Sequence, residues 1–143
     1  MIHAIDTNIL LDVLIQDPHF CELSADLIAR VGAEGALAIS TVAYAELAAH
    51  FEHDEDLQRF LTDVGVRVEP IDIDVARTAG RAWYIYVAAK KSGGPRRDVL
   101  QRKPILADFL IGAHAVAKGY ALLTRDTRGL YDKYFPSLKC VSA

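Results

Sequence analysis

The sequence predicts a three-layer α/β/α fold, in which a mainly parallel sheet of four or five strands lies between layers of helices. Two patterns predict it: short β-rich runs alternate with stretches of helical periodicity, and glycine or proline residues separate many of them. The chain of 143 residues has the length of one domain, which we place at residues 1–143. Hydrophobic residues make up 52% and charged residues 24%, a balance typical of folded rather than disordered proteins.

In the first half of the chain the pattern predicts three strands, at residues 2–5, 36–39 and 66–68. Helices are predicted through Leu10, Leu11 and Leu14, at about residues 20–31, from Ser40 or Thr41 through Glu46 and Leu47, and at residues 54–64. Each helix shows apolar residues at helical spacing or a suitable start signal. Ser40 or Thr41 is an N-cap of the preferred type, and Gly65 ends the last of these helices.

The second half is predicted to hold two long helices, at about residues 73–91 and 108–118, and two strands, at residues 120–123 and 138–141, with a short helix between the strands. Gly93, Gly94 and Pro95 break the first of these helices. The polar, basic stretch at residues 92–104 is interpreted as a loop within the domain.

Charge is distributed unevenly along the chain. Residues 1–76 hold three basic and fifteen acidic side chains, and residues 77–143 hold thirteen basic and four acidic ones, although the net charge is only −3. This asymmetry favours a positive surface for a polyanion, with solvated helix charges as the alternative. The densest basic cluster contains the residues that we predict to bind nucleic-acid phosphates: Arg96, Arg97, Arg102 and Lys103.

Other features limit where the protein acts. No apolar run approaches the roughly 18 residues that a membrane span needs, and the N-terminus lacks the features of a signal peptide. We therefore expect a cytoplasmic protein with no membrane association. Cys21 and Cys140 are too few for a disulfide framework or a cysteine-based zinc site, and we interpret both as packing thiols.

Four acidic residues are predicted to meet at one edge of the sheet. Asp6 follows the first strand, and Asp126 follows the strand at residues 120–123. Glu46 lies in the second turn of the helix after the second strand, and Asp108 begins its own helix. In open α/β sheets, ligands bind beyond the carboxyl ends of the strands, so we expect these side chains to converge on one crevice.

Four ionised carboxylates at one site repel each other unless a cation neutralises them. Oxygen ligands favour Mg²⁺ or Mn²⁺, so the set predicts a magnesium or manganese site. Taken singly, each acid also fits a structural role, such as a helix cap at Asp6 or an Asx turn at Asp126. A zinc site on a helical face with Glu46, His50 and His53 is a weaker alternative. Asp12 lies one turn after Asn8 and is interpreted as a solvated helix charge, with a role in orienting the metal ligands as the alternative.

Four sequence segments together resemble the motifs of one family. They are residues 5–11 (IDTNILL), residues 40–47 (STVAYAEL), residues 107–113 (ADFLIGA) and residues 122–126 (LLTRD). In order and spacing they are similar to the PIN-domain nucleases, especially the VapC-type toxins of toxin–antitoxin pairs. Residues 131–141 are similar to the C-terminal tail of that family, so the resemblance covers essentially the whole chain.

The resemblance implies a PIN-like fold and a metal-dependent endoribonuclease. It implies that Asp6 and Asp108 are the principal Mg²⁺ or Mn²⁺ ligands, and that Glu46 and Asp126 bind the metal directly or through water. Asn8 and Thr124 would orient these carboxylates. The implied products of hydrolysis carry a 5′-phosphate and a 3′-hydroxyl.

The resemblance also implies partners: an RNA substrate, a small cognate antitoxin and a second copy in a homodimer. The aromatic helix with Trp83, Tyr84 and Tyr86 is a candidate dimer interface. Two other functions remain open. One is a binding-only PIN-like module for RNA or protein, and the other is a Mg²⁺-dependent phosphotransfer domain, which would lack the second acid of the Asp-x-Asp motif because position 8 is Asn.

Overall fold

A five-stranded parallel sheet forms the centre of the protein. The computed structural model describes residues 1–92, 104–126 and 129–143. The strands are β1 (Ile2–Ile5), β2 (Ala36–Ser40), β3 (Val66–Glu69), β4 (Ala121–Leu123) and β5 (Cys140–Val141). Their order in the sheet is β3-β2-β1-β4-β5, and every neighbouring pair is parallel. The predicted mainly parallel sheet is therefore confirmed.

Helices cover the two faces of this sheet. Those in the described ranges are α1 (Thr7–Leu14), α2 (Cys21–Gly32), α3 (Thr41–Ala48), α4 (Asp54–Val64), α5 (Ile73–Lys91), α6 (Leu106–Lys118) and α7 (Leu130–Tyr134). Helices α4 and α5 have the predicted bounds. Helix α6 begins two residues earlier than predicted, because Ile105 is its N-cap. Strand β5 begins two residues later, since the backbone N–H of Leu138 instead donates to the carbonyl of Phe135.

Alternating side chains of the central strands divide the core in two. Ile5 and Leu123 point into a cluster formed with α1 to α4, whereas Ala4 and Leu122 point into a cluster formed with α5, α6 and α7. A strand buried on both faces needs apolar residues at consecutive positions, as at Ala4 and Ile5 of β1 and along the whole of β4. This division gives the predicted three-layer α/β/α arrangement. None of the helices in the described ranges combines the length and apolar character that crossing a membrane requires.

A polar network lies apart from this apolar core, at the end of β3. The carboxylate of Glu69 accepts hydrogen bonds from Tyr120 Oη at 2.9 Å and from His114 Nε2 at 2.9 Å, and Arg67 Nε donates to it at 3.1 Å. Burial raises the pKa of Glu69, but the hydrogen bonds from Tyr120 and His114 outweigh it and hold the pKa below its ordinary value of 4.5. The network ties α6 and the start of β4 to the edge strand.

We expect Glu69→Gln to lower the thermal unfolding midpoint at pH 7. A carboxylate whose pKa is depressed on folding adds stability above its ordinary pKa, and that stability is lost as the pH falls through the lower folded value. The difference between wild type and Glu69→Gln should therefore shrink below pH 4.5. Thermal unfolding between pH 7 and pH 3 measures this, with the exposed Glu52→Gln as control. A pH-independent difference would contradict it.

Two helical glycines make a matched test of the packing under α7. A Cβ at Gly112 would lie 2.7 Å from the Phe135 ring and 3.1 Å from the Tyr131 ring, whereas a Cβ at Gly80 would meet no atom within 4 Å. Gly112→Ala should lower the free energy of unfolding by about 1–3 kcal/mol through overpacking. Gly80→Ala should raise it by about 0.5–1 kcal/mol through helix propensity. Denaturant unfolding measures both free energies. If the two substitutions change the free energy of unfolding equally, the Tyr131 and Phe135 rings move aside without cost and the overpacking argument is wrong.

Candidate active site

A cavity of about 690 Å³ opens at the carboxyl edge of the sheet. All four acids predicted to converge line it: Asp6, Glu46, Asp108 and Asp126. Parallel strands bring them there, because the chain leaves β1 and β4 at the same edge of the sheet and α3 starts directly after β2. The remaining described lining residues are Thr7, Asn8, Leu11, His50, Ile105 and Arg125.

Asp6 occupies the N-cap position of α1, but its side chain does not cap the helix. One carboxylate oxygen, Oδ2, accepts hydrogen bonds from Thr124 Oγ1 at 2.8 Å and from Tyr131 Oη at 3.1 Å. The residue is only 3% exposed. The helix-cap alternative therefore fails for Asp6, and two hydroxyl groups from distant parts of the chain orient its carboxylate instead.

Thr124 connects two of the acids. Its hydroxyl donates to Asp6 and accepts the backbone N–H of Asp126 at 3.0 Å. A single buried hydroxyl thus sets both the orientation of the Asp6 carboxylate and the path of the backbone at Asp126. This contact has the geometry expected of a residue that orients the acids.

Glu46 is held by a neighbour that was not predicted from the sequence. Thr7 Oγ1 donates to Glu46 Oε1 at 2.7 Å, which joins the start of α1 to the middle of α3. Tyr131 was missed in the same way. The signal for Thr7 was its position next to Asp6, whereas nothing local to Tyr131 indicates its contact with an acid 125 residues away in sequence.

Asp108 differs from the other acids because it has a helix-capping contact. It is the third residue of α6, and its Oδ2 accepts the backbone N–H of Ile105 at 2.9 Å. One carboxylate oxygen of Asp108 therefore has the structural role of capping a helix, which the sequence allowed for any of the acids taken singly. Asp108 nevertheless lines the cavity together with Asp6 and Asp126.

Two buried oxygen atoms at the cavity have no hydrogen-bond partner within the described ranges: Asn8 Oδ1 and Asp126 Oδ1. Buried polar atoms in folded proteins nearly always have a partner, and for an oxygen atom that partner can be a bound cation. The donor set also fits Mg²⁺ or Mn²⁺, since it consists of carboxylate and amide oxygens. In residues 1–92, 104–126 and 129–143, however, no three His, Cys, Asp or Glu side chains are grouped closely enough to hold a metal ion.

Negative charge at the site extends to its surroundings. Burial, followed by the charges of Asp126, Asp132 and Asp6, raises the pKa of the Cys140 thiol to about 11. A thiol with such a high pKa stays protonated at neutral pH, in agreement with its interpretation as a packing residue.

The zinc alternative required a longer helix than the structure contains. Helix α3 ends at Ala48, so His50 lies beyond it, and His53 is the N-cap of α4. Glu46, His50 and His53 therefore do not share a helical face. His50 does line the cavity, whereas His114 binds Glu69 in the separate network at the end of β3.

The interpretation of Asp12 as a solvated helix charge was wrong. Asp12 is 2% exposed and accepts hydrogen bonds from Arg125 Nε at 2.8 Å, from Arg125 Nη2 at 3.1 Å and from Ser24 Oγ at 2.7 Å. The partner that makes its burial possible comes from the segment after β4. Arg125 was missed as well, although it directly precedes Asp126.

The predicted RNA-binding residues Arg96, Arg97, Arg102 and Lys103 lie outside the described residues. On α5, the aromatic residues divide between two environments. Trp83 and Tyr86 pack against Phe109 in the core, whereas Tyr84 is 62% exposed. The homodimer stays a prediction.

Tyr131→Phe tests the hydrogen bonding of Asp6. The substitution removes the Oη donor and keeps the ring, so it should lower the free energy of unfolding by about 1.5–3 kcal/mol, the range for hydrogen bonds to charged groups. The matched control is Tyr84→Phe at the exposed position on α5, which should change stability little. Urea unfolding in chelator at pH 7 measures both. Equal stability of the two variants would mean that the Tyr131–Asp6 contact contributes nothing.

Solved structures of toxin–antitoxin proteins share this fold. VapBC2 from Rickettsia felis, bound to a DNA fragment from its promoter, has a TM-score of 0.68 and 19% identity, over 99% of this chain and 98% of that chain. VapBC-1 from nontypeable Haemophilus influenzae has a TM-score of 0.66 and 22% identity, over 99% and 98%. The sarcin-ricin loop cleaving toxin VapC20 from Mycobacterium tuberculosis has a TM-score of 0.53 and 17% identity, over 84% and 85%.

A search of the curated proteins finds no significant match to this sequence. A family model does match: the PIN domain model covers residues 4–136. The matched range begins in β1, ends just after α7 and includes all four acids of the cavity. The chain therefore belongs to the PIN-domain family.

Proposed function

We propose that the protein is a Mg²⁺- or Mn²⁺-dependent endoribonuclease and the toxin of a toxin–antitoxin pair. The observation that carries the proposal is the single cavity lined by Asp6, Glu46, Asp108 and Asp126, in which an oxygen of Asp126 has no hydrogen-bond partner among the described residues. Membership of the PIN-domain family supports the nuclease assignment.

In this proposal Asp6 and Asp108 are the principal metal ligands, and Glu46 and Asp126 contribute directly or through water. When bound, a divalent cation supplies an activated water and stabilises the charge that develops on the leaving oxygen. The overall reaction adds water across the bond between phosphorus and the 3′-oxygen, which leaves a 5′-phosphate and a 3′-hydroxyl. The ribose 2′-hydroxyl is not needed as the nucleophile, because water takes that role.

The protein's own contribution is to hold the acids in place. Thr124 and Tyr131 orient the Asp6 carboxylate, and Thr7 orients Glu46. All three donors are hydroxyl groups, which fix a carboxylate without neutralising it. The acids therefore keep the negative charge that a divalent cation requires, and groups that orient metal ligands in this way commonly matter for metal affinity.

The similar structures support an antitoxin partner. Two of them are VapBC structures, and the third is the toxin VapC20. We propose that this chain likewise binds a small cognate antitoxin. An arginine of the antitoxin, placed among the acids, would form charge-assisted hydrogen bonds and compete with the metal ion.

We expect Asp6→Asn and Asp126→Asn each to reduce RNA cleavage at least about 100-fold, because loss of metal-site residues typically costs that much or more. The matched control is Asp74→Asn on α5, where the carboxylate is exposed and pairs only with Arg77 among the described residues. Cleavage of labelled RNA in Mg²⁺, Mn²⁺ or chelator measures this. Wild-type rates in both site variants, or full activity in chelator, would overturn the assignment.

Thermal unfolding tests the metal site without measuring activity. In chelator, Asp126→Asn should unfold at a higher temperature than wild type, because it removes one of several neighbouring like charges. Mg²⁺ should stabilise wild type by binding the folded state and should stabilise the variant less. Asp74→Asn should show the wild-type shift. A lower midpoint for Asp126→Asn in chelator, with the Mg²⁺ shift retained, would contradict a metal site at Asp126.

A further inference from the structure

One cation stands out on the wall of the acidic cavity. Among the described lining residues, Arg125 is the one arginine or lysine, and four of the other lining residues are acids. An RNA phosphate that approaches this wall meets repulsion from every acid and attraction from Arg125. The same side chain also lines a second, adjoining cavity of about 340 Å³. Arg125 therefore lies at the junction of the two cavities.

The guanidinium of Arg125 is fixed in place from α1. It donates through Nε and Nη2 to the two carboxylate oxygens of Asp12, at 2.8 and 3.1 Å. Asp12 is buried and also accepts from Ser24 Oγ. Because the pair is bidentate and one partner is buried, the guanidinium has a defined orientation rather than the freedom of a surface arginine.

A second contact holds the guanidinium from one face. Its central carbon lies 4.1 Å from the centre of the Phe20 ring, within the range of a cation–π interaction. Phe20 is positioned in turn by Asp17, whose carboxylate accepts the backbone N–H groups of His19 and Phe20 at 2.8 and 2.9 Å. The segment before α2 is thereby organised around Arg125.

Only part of the hydrogen-bonding capacity of Arg125 is used by these contacts. A guanidinium has five N–H groups, and two of them bind Asp12. No other acceptor in the described ranges binds Arg125, and its side chain is 37% exposed. Three N–H groups of a rigidly held cation are therefore directed away from the buried pair, in the planar arrangement that binds phosphate well.

The adjoining cavity has the character of a nucleotide subsite. Phe20 and Leu23 supply apolar surface and Ser142 supplies a hydroxyl group, whereas the hydroxyl of Ser24 is bound to Asp12. Leu23 is 51% exposed and Phe20 is 36% exposed, so both offer apolar surface to a ligand in this cavity. Apolar and aromatic surfaces next to a phosphate-binding cation are a common means of binding single-stranded nucleic acid.

We propose that Arg125 binds a phosphate of the substrate RNA beside the acids, and that the adjoining cavity receives the nucleotide attached to that phosphate. The inference rests on the proposed ribonuclease function and identifies where its substrate binds. Asp12, Ser24 and Phe20 are then positioning residues, which act through Arg125. The alternative is that Arg125 serves only to neutralise the buried Asp12.

A binding experiment separates these two roles. Removing Arg125 alone would leave a buried charge on Asp12, so the informative variant is Asp12→Asn/Arg125→Gln, compared with Asp12→Asn. The probe is a labelled single-stranded RNA oligonucleotide of random sequence, in chelator so that metal-dependent cleavage does not proceed. The double variant should bind RNA at least about 10-fold more weakly than Asp12→Asn. The slope of its log binding constant against log salt concentration should be smaller by about 0.7, because one phosphate contact is lost. Equal affinity and equal salt slope would overturn the proposal.

Kinetics in Mg²⁺ or Mn²⁺ give a second readout. Arg125→Lys keeps the charge but loses the planar donor arrangement, so KM should rise several-fold with a smaller change in kcat. Leu23→Trp should fill the adjoining cavity and raise KM, whereas Ile73→Trp, at an exposed position on α5, should not. An unchanged KM in both Arg125→Lys and Leu23→Trp would contradict the subsite.

The two experiments also separate this inference from the proposed function. If wild type cleaves RNA and the Arg125 and Leu23 variants behave as their controls do, the subsite is wrong and the nuclease stands. If wild type binds RNA through Arg125 but does not cleave it with any divalent metal, the phosphate contact stands and the nuclease is wrong.

Discussion

Hydrogen bonds that hold carboxylates in place are the interaction on which the candidate active-site edge of this protein depends. Asp6, Glu46, Asp108 and Asp126 line one cavity. Much of the hydrogen bonding seen there comes from uncharged donors: two threonines, a tyrosine and a backbone N–H. Such donors orient carboxylates without neutralising them.

The register of the sheet decides which donors are available. Ile5 pairs with Leu123 in adjacent parallel strands, so the next residues, Asp6 and Thr124, leave the sheet side by side. The backbone N–H of Asp6 also donates to the carbonyl of Leu123 at 2.9 Å. The hydrogen bond from Thr124 to Asp6 is therefore a direct extension of the strand pairing. A shift of register would separate the two and leave a buried acid without its nearest donor.

Packing on the opposite layer reaches the same acid. Tyr131 contacts Asp6 through its hydroxyl, while its ring lies against Gly112 of α6, a position with no room for a larger side chain. The second core cluster, which contains Phe109 and Phe135, thus fixes the ring that orients a carboxylate at the cavity. Stability of the α5–α7 layer and geometry of the site are consequently coupled.

The sequence predicted what depends on local pattern and missed what depends on distant pairs. Strand alternation, helix caps and breakers placed α4 and α5 correctly, and the rule for parallel sheets indicated the edge where the acids lie. The interpretation of Asp12 failed because its partner, Arg125, is 113 residues away in sequence. Tyr131 was missed for the same reason. From the sequence alone, a buried charged residue cannot be told from a solvated one unless the residue that pairs with it in the fold is known.

The charge asymmetry of the chain is explained partly by pairing between its two halves. Asp12 pairs with Arg125 and Asp72 with Lys118, and each pair joins the acidic first half to the basic second half. These contacts use some of the basic residues that composition alone would assign to a polyanion surface. Arg125 both pairs within the chain and faces a cavity, because its hydrogen bonds to Asp12 use one edge of the guanidinium and leave its other N–H groups at the cavity wall. Intramolecular pairing and attraction of an anion are thus compatible in one side chain, provided that the pairing is buried and the remaining donors are exposed.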